Sequence, residues 1–264
     1  MKSALSVVLG VAAVAFVAVP FTSFAGGTIA GKVTYAGKSE QKEFLFSKFP
    51  NPGFCPKNPH KELMDGDKRF LKQIEVGKDG GLKNAVVAVY DIEDQAFIGG
   101  YQGTEVVAEF CEFLPFAGVV VNTKSFKVEN HDADPDDPKS VQGVLHNPHS
   151  FTVKGTSSAT GFNIGLAKKG DKLVKPVQFR GGAEKEGYLR LQCDQHEFMQ
   201  GFFLPVSNPH FAVVKDDGSF EIKDVPAGKH KVVAWHPFAG KGKKVEFDVD
   251  VTDGGTANLK AEIK

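Results

Sequence analysis

Three residues with metal-binding side chains lie within seven positions late in the chain. Cys193, His196 and Met199 have the spacing Cys-x2-His-x2-Met, which joins a thiol, an imidazole and a thioether. Copper that cycles between Cu(I) and Cu(II) favours this mixture, because sulfur suits Cu(I), imidazole suits both states and a weak thioether bond tunes the potential. A second imidazole would complete the set. The upstream segment offers His146 as first choice and His149 as the alternative ligand.

The N-terminal segment, residues 1–25, has the pattern of a secretory signal peptide. Lys2 precedes an unbroken apolar or small run over positions 4–20, and Ser23 and Ala25 suit cleavage after Ala25. An uncleaved anchor is the alternative, but the run is short for a membrane span. No other stretch is long and apolar enough to cross a membrane. We therefore expect an exported protein, periplasmic or secreted, without stable membrane insertion after cleavage.

Export makes disulfide bonds possible, and the chain has three cysteines. If Cys193 binds metal as a thiolate, Cys55 and Cys111 remain as a pair. We predict a disulfide between these two, with free buried thiols as the alternative.

The composition points to an all-β protein without a strong global charge. The 264 residues could form one large or two modest domains, and 32 basic residues balance 32 acidic ones. This balance gives no reason to expect binding to nucleic acid or to an anionic membrane. The 29 glycines separate short alternating runs, such as Gly187 to Cys193, which are typical of strands in β-sandwiches.

Two segments between the predicted strands have no regular pattern. Residues 38–81 contain several Pro and Gly residues and are expected to be an irregular excursion, which Cys55 could tie down. Residues 131–138 contain four aspartates but lack the spacing of an EF-hand loop. We expect a solvated acidic loop there.

The strand that ends at Cys193 and the loop to Met199 resemble the C-terminal ligand loop of cupredoxins, the blue copper proteins. The spacing is similar to that of amicyanins, and His146-Asn147 resembles the His-Asn pair in the first ligand loop of plastocyanin-like proteins. The resemblance covers roughly residues 95–207 and implies a Greek-key β-sandwich with one type 1 copper ion. The implied ligands are His146, Cys193, His196 and Met199. It also implies that the side-chain amide of Asn147 ties the two loops together.

The outer segments resemble a carboxypeptidase regulatory-domain-like β-sandwich, of immunoglobulin-like or transthyretin-like type. The matching segments are Gly31-Lys32-Val33, Asn84 to Val89, Asp217 to Ile222 and Val225 to Gly228. This pattern normally runs without a break, but here it is split between the second and third segments. We predict a discontinuous outer sandwich, residues 26–94 and 208–264, that carries an inserted copper domain, residues 95–207. Two domains in simple series are the alternative.

The resemblance implies a carrier of single electrons. In cupredoxin-like sites the edge of the C-terminal histidine reaches solvent within an apolar patch. A redox partner, such as a c-type cytochrome or an oxidoreductase, is therefore expected to dock near His196. A periplasmic copper chaperone or storage protein, or a cell-envelope binding module without metal, is the alternative. We expect no enzymatic activity, because the sequence offers no nucleophile-base set and a filled ligand shell leaves no position for substrate.

Overall fold

A computed structural model describes residues 26–39, 41–180 and 183–264. The predicted signal peptide, residues 1–25, lies outside the described residues. In the described part of the chain, no helix has the length and apolar character that crossing a membrane requires. The structure confirms the predicted all-β class, since strands make up most of its regular elements and the helices are short.

The strands in chain order are β1 Gly27–Tyr35, β2 Gln41–Leu45, β3 Met64–Asp65, β4 Lys68–Lys72, β5 Val86–Val89, β6 Thr104–Glu109, β7 Glu112–Leu114, β8 Ala117–Val120, β9 Ser125–Asn130, β10 Pro148–Lys154, β11 Ser157–Asn163, β12 Lys172–Pro176, β13 Tyr188–Cys193, β14 Gln200–Pro205, β15 Phe211–Val213, β16 Ser219–Val225, β17 Gly228–Trp235, β18 Val245–Val251 and β19 Thr256–Ile263. The helices are α1 Gln95–Gly100 and α2 Ala183–Glu186, with single 3-10 turns at Phe46–Lys48, Cys55–Lys57, Lys61–Leu63, Lys78–Gly80 and Ala239–Gly242.

The outer sandwich consists of two sheets built from both ends of the chain. One sheet has the order β16-β1-β19 and the other the order β15-β5-β17-β18. Alternate residues of these strands, such as Ile29, Val87 and Leu259, belong to one buried cluster. This alternation is what a strand with one face on a core requires.

The inner sandwich contains the predicted ligand segments. Its sheets have the orders β11-β10-β13-β14-β8 and β12-β9-β6-β7. Inward residues of both sheets form a second buried cluster, which includes Phe126, Leu191 and Phe203. The strand order places β10 beside β13, the two strands that carry the predicted ligands.

Several strands, among them β5 and β14, are buried on both faces and join the sandwiches. In β5, Val87 and Val89 face the outer core, whereas Val86 and Ala88 belong to a third buried cluster. That cluster also contains Leu204 from β14 of the inner sandwich. Such double burial explains why β5 is an unbroken apolar run rather than an alternating one.

The segment of residues 41–72, here called the strap, is only partly irregular, whereas the sequence indicated an irregular excursion throughout. It forms a three-stranded sheet of order β2-β4-β3, and Gly66 has a φ of +56° at the turn between β3 and β4. Phe44 and Leu71 belong to the same buried cluster as Cys193. The predicted division at residues 94 and 208 stays a prediction, but the strap packs on the inner sandwich rather than on the outer one.

Candidate metal centre

The pairing of two strands brings the predicted ligand segments together. β10 and β13 are antiparallel, and Pro148 at the start of β10 lies opposite Cys193 at the end of β13. His146 and Asn147 immediately precede β10, so they reach the same edge of the sheet. The backbone N–H of Asp194 donates to the carbonyl of Asn147 at 3.1 Å and joins the two segments.

The loop after Cys193 is closed by its own backbone. The N–H of Cys193 donates to the carbonyl of Met199 (3.1 Å), and the N–H of Met199 donates to the carbonyl of His196 (2.8 Å). The N–H of His196 in turn donates to the carbonyl of Cys193 at 3.3 Å. These hydrogen bonds close a tight loop, which keeps Cys193, His196 and Met199 close together.

Three donor atoms converge in this buried place. The Cys193 sulfur lies 3.7 Å from Nδ1 of His196 and 4.0 Å from Nδ1 of His146. All three donor atoms lie within 4.8 Å of one another, and all three residues are fully buried. Met199 is also buried, 1% exposed, and belongs to the same buried cluster as Cys193.

The spacing of these atoms fits a first-row metal ion. An ion about 2.0 Å from a histidine nitrogen and about 2.3 Å from a thiolate, with an angle of about 120°, would hold the two atoms about 3.7 Å apart. The observed separations of 3.7 and 4.0 Å lie close to that value. Thiolate and imidazole together suit copper. The Nε2 atoms of both histidines contact other partners, so Nδ1 is the atom that each ring offers to a metal.

His146 is fixed from behind by a buried carboxylate. Its Nε2 lies 2.8 Å from Oδ2 of Asp132, which is only 2% exposed. The same carboxylate accepts the backbone N–H groups of Phe110 (2.6 Å) and Cys111 (2.9 Å). The contact directs Nδ1 of His146 towards the Cys193 sulfur. The expectation of a solvated loop over residues 131–138 was therefore wrong at Asp132, because these hydrogen bonds hold it inside.

The thiol of Cys193 and the imidazole of His146 adjust each other's pKa. Burial raises the pKa of Cys193, but hydrogen bonds and charge from His146 and His196 outweigh it and lower the pKa to about 6. Burial lowers the pKa of His146, but contacts with Asp132 and Cys193 raise it to about 9. The thiol can therefore give up its proton near neutral pH, as metal binding requires.

The strap covers the outer edge of His196. Nε2 of His196 lies 3.0 Å from the carbonyl oxygen of Pro50, and none of the side chain reaches solvent. The rings of Phe46 and Phe49 pack edge-on against Phe198, with centroids 5.7 and 5.3 Å away. The expected solvent-exposed edge of His196 was therefore wrong. Phe198, which could have formed part of an exposed apolar patch beside His196, is instead covered by Phe46 and Phe49 of the strap.

The predicted disulfide is present and holds the strap in place. Cys55 in the strap is bonded to Cys111 between β6 and β7, with a Cα–Cα distance of 5.4 Å. Both residues are buried, and their sulfur atoms lie within 4.8 Å of a ring nitrogen of His196. Cys193 is left as the free cysteine.

Asn147 contacts the site through its backbone. Its N–H donates to the Cys193 sulfur at 3.3 Å, and its carbonyl holds Asp194. The side-chain Oδ1 is buried without a hydrogen-bond partner among the described residues. The two loops are tied by the main chain of Asn147, whereas the resemblance implied its side-chain amide.

His149 points away from the three converging atoms. Its Nδ1 lies 3.0 Å from Oδ2 of Asp194, and its Nε2 lies 3.1 Å from the hydroxyl of Thr160. The ring stacks on Phe151, with centroids 3.9 Å apart. His149 is separate from the cluster of His146, Cys193 and His196.

Two residues that contact the candidate ligand histidines were not predicted from the sequence. Pro50 belongs to the strap, and nothing local marks its carbonyl as a partner of His196. Asp132 had one signal, which is an Asn-x-Asp pattern at residues 130–132 where Asn130 bonds the backbone of Asp132. That pattern indicates a fixed turn, but it does not indicate that the carboxylate of Asp132 contacts His146.

No protein-family model and no curated protein matches the chain. Parts of it are similar to solved structures. A Cu-containing nitrite reductase (NirK) from Thermus scotoductus SA-01 is 14% identical, with TM-score 0.29, over 40% of this chain and 23% of that one. A novel purple cupredoxin from Nitrosopumilus maritimus is 14% identical, with TM-score 0.28, over 39% of this chain and 99% of that one.

A single-residue mutant of amicyanin in its Cu(I) form is 14% identical, with TM-score 0.27, over 47% of this chain and 100% of that one. In the alignment with the nitrite reductase, the chain spans less than a quarter of that protein's length. Likenesses at this identity and these TM-scores establish neither a family nor a function.

Proposed function

We propose that the protein binds one copper ion in a type 1 site and carries single electrons in an exported compartment, without enzymatic turnover. The proposed ligands are His146, Cys193 and His196, with Met199 as a weak fourth ligand. The observation that carries this proposal is the convergence of one sulfur and two imidazole nitrogens within 4.8 Å in a fully buried site.

Each residue around the proposed ligands has a definite part in this function. Bound copper supplies a one-electron couple between Cu(I) and Cu(II). Asp132 keeps the His146 ring in one orientation, and the carbonyl of Pro50 does the same for His196. The N–H of Asn147 stabilises negative charge on the Cys193 sulfur, which favours the reduced metal. A site held this rigidly changes little between oxidation states, and this makes electron exchange fast.

An absorption and EPR spectrum of the copper-loaded protein tests the proposal. A type 1 site gives an intense visible band from charge transfer between thiolate and Cu(II), together with a narrow copper hyperfine splitting. Cys193→Ala is expected to abolish the band, whereas His149→Ala, which changes a histidine outside the cluster, is expected to keep it. A colourless Cu(II)-loaded protein would refute the proposal.

Copper storage is a second candidate, favoured by the strap. Because Pro50 and the strap phenylalanines close off His196, a partner has no direct access to that ligand. A storage protein would hold Cu(I) tightly and exchange electrons slowly. The two functions are separated by the electron self-exchange rate, measured from NMR line broadening in mixtures of reduced and oxidised protein. Slow self-exchange with ready copper transfer to a chelator would favour storage.

A further inference from the structure

Because the strap covers His196, the residue after Cys193 offers another route from the proposed copper site to the surface. His196 is fully buried under the strap, whereas Asp194, bonded directly to Cys193, has 30% of its side chain exposed. An electron that leaves the Cys193 sulfur can follow covalent bonds to Asp194. Covalent and hydrogen bonds couple a donor to an acceptor better than gaps of the same length do.

A fixed chain of hydrogen bonds continues from Asp194 to Thr160 on β11. Its carboxylate bonds His149 at 3.0 Å and accepts the side-chain N–H of Asn163 at 2.9 Å. The other nitrogen of His149 lies 3.1 Å from the hydroxyl of Thr160, and its ring stacks on Phe151. With both ring nitrogens bonded and one face stacked, the ring is held in a single orientation.

Thr160 lines a groove between the free edges of the two inner sheets. β11 ends the five-stranded sheet and β12 ends the four-stranded sheet, and a groove of about 510 Å³ lies between them. The groove is lined by hydroxyls of β11 and by three cationic side chains, with no carboxylate among its described lining residues. The cations are Lys154, Lys175 and Arg180.

The positive charge of this groove is largely unbalanced. Lys154 pairs with Glu186 at 3.0 Å, but Lys175 and Arg180 are exposed and form no ion pair within the described ranges. The whole chain has a formal net charge of zero, so this positive surface is a local feature. Local charge of one sign steers an oppositely charged partner into a productive encounter.

We propose that the groove between β11 and β12 is the docking surface for an acidic redox protein, and that electrons reach it from Cys193 through Asp194 and His149. This inference rests on the proposed electron-transfer function. In the transfer, one electron leaves Cu(I) and reduces the oxidised partner, for example ferric haem to ferrous haem. A shallow, charged contact suits the brief encounters of redox proteins.

Charge reversal in the groove tests the docking surface. Stopped-flow oxidation of the copper(I) protein is measured with an acidic and with a basic c-type cytochrome, both in the ferric state, at low ionic strength. In the double variant Lys175→Glu and Arg180→Glu, the rate with the acidic cytochrome is expected to fall about tenfold. The rate with the basic cytochrome is expected to stay the same or rise.

A matched control variant reverses two exposed lysines of the outer sandwich, Lys223→Glu and Lys231→Glu, with the same change in net charge. Their side chains are 72% and 55% exposed and their ion pairs are on the surface. The control is expected to change the rate less than the groove variant does. Equal losses in both double variants would mean that only net charge matters, and they would overturn the docking surface.

Removal of the His149 ring tests the path. His149→Ala is expected to slow oxidation by the acidic cytochrome and to leave the absorption band in place, since His149 contacts no proposed ligand side chain. An unchanged rate would overturn the path. A wild-type protein without the band would refute the proposed function itself, whereas a normal band with groove variants that behave like the control would refute only this inference.

Discussion

Asp132 shows how one buried carboxylate can set the geometry of the whole candidate site. It contacts Nε2 of His146 and accepts two backbone N–H groups, so its own position is fixed by three hydrogen bonds. The ring of His146 is thereby held with Nδ1 towards Cys193. A carboxylate behind a ligand histidine also makes the imidazole a stronger donor.

Asp132→Asn is expected to lower copper affinity by about 10- to 100-fold, because loss of such an outer carboxylate typically has that effect. The measurement is competition for copper with a chelator of known affinity, followed by absorption. Asp136→Asn is the control, since Asp136 has 82% of its side chain exposed and pairs only with Lys57. Equal affinities in the two variants would contradict the role of Asp132.

The candidate ligands could be proposed from sequence where they are close together. Cys193, His196 and Met199 share one short loop, so their spacing alone indicates a metal site. The position of His146 beside Cys193 was predictable from the Asn that follows it. Asp132 was not, because its contact with His146 depends on how residues 130–134 fold back on the inner core. An aspartate in an acidic run is usually solvated. Asp132 is buried because it forms hydrogen bonds with residues that are distant in sequence.

Among the structural elements, the strap was the least predictable from sequence. Its strands are short, and contacts that order it join Phe44 to Phe198 and Pro50 to His196, which is 146 positions later in the chain. Local patterns carry no information about such pairings. Phe44, Phe46 and Phe49 were visible as a cluster of aromatic residues, but their partner Phe198 could not be inferred from spacing.

The disulfide between Cys55 and Cys111 is expected to keep the strap closed over His196. The double variant Cys55→Ser and Cys111→Ser is expected to lose about 2–5 kcal/mol of unfolding free energy, as is usual when a native disulfide is removed from a small domain. It should also release copper faster to a hydrophilic chelator. Chemical denaturation and copper-release kinetics measure the two effects. An unchanged release rate would show that packing alone closes the strap.

The turn after β17 makes stability sensitive to acid. Nδ1 of His236 accepts the backbone N–H groups of Phe238 and Ala239 (3.2 and 3.0 Å), and burial lowers the pKa of His236 to about 4. The unfolded chain takes up this proton first, so the contribution is complete above the ordinary histidine pKa of about 6.5. It is lost progressively as the pH falls towards 4.

At pH 5 this protonation should cost about 2 kcal/mol of unfolding free energy relative to pH 7. His236→Asn keeps an acceptor for the two N–H groups and removes the titration. The variant is therefore expected to lose less stability between pH 7 and pH 5 than the wild type does. Urea denaturation at the two pH values gives the comparison, and parallel losses in both proteins would contradict the assignment.

At the scale of the whole molecule, the two sandwiches share a buried cluster and are not independent. β5 and β14 each bury side chains on both faces. The faces that point away from the two cores meet in the shared cluster around Trp235, which is fully buried. The ring of Trp235 lies 5.3 Å from that of Tyr188 at the start of β13. The strand that carries Cys193 therefore begins against the outer sandwich.

Trp235→Ala is expected to cost about 3–5 kcal/mol of unfolding free energy, because it leaves a cavity where the sandwiches meet. The copper absorption band should be unchanged, since the opposite end of β13 carries the ligand. Val213→Ala, at a position 43% exposed, is the control and should cost little. Loss of the absorption band without loss of stability would contradict the expectation that Trp235 stabilises the fold without affecting the proposed metal site.

The pairing of β1 has a consequence for how the chain is made. β1 is the first described strand, and β19, its parallel neighbour, is the last. During synthesis, β1 therefore emerges long before either of its partners exists and has two unpaired edges. The inner sandwich has all its strands by residue 205 and can close earlier. A nascent chain arrested before residue 256 should therefore carry a finished inner sandwich beside an open edge that is prone to aggregation.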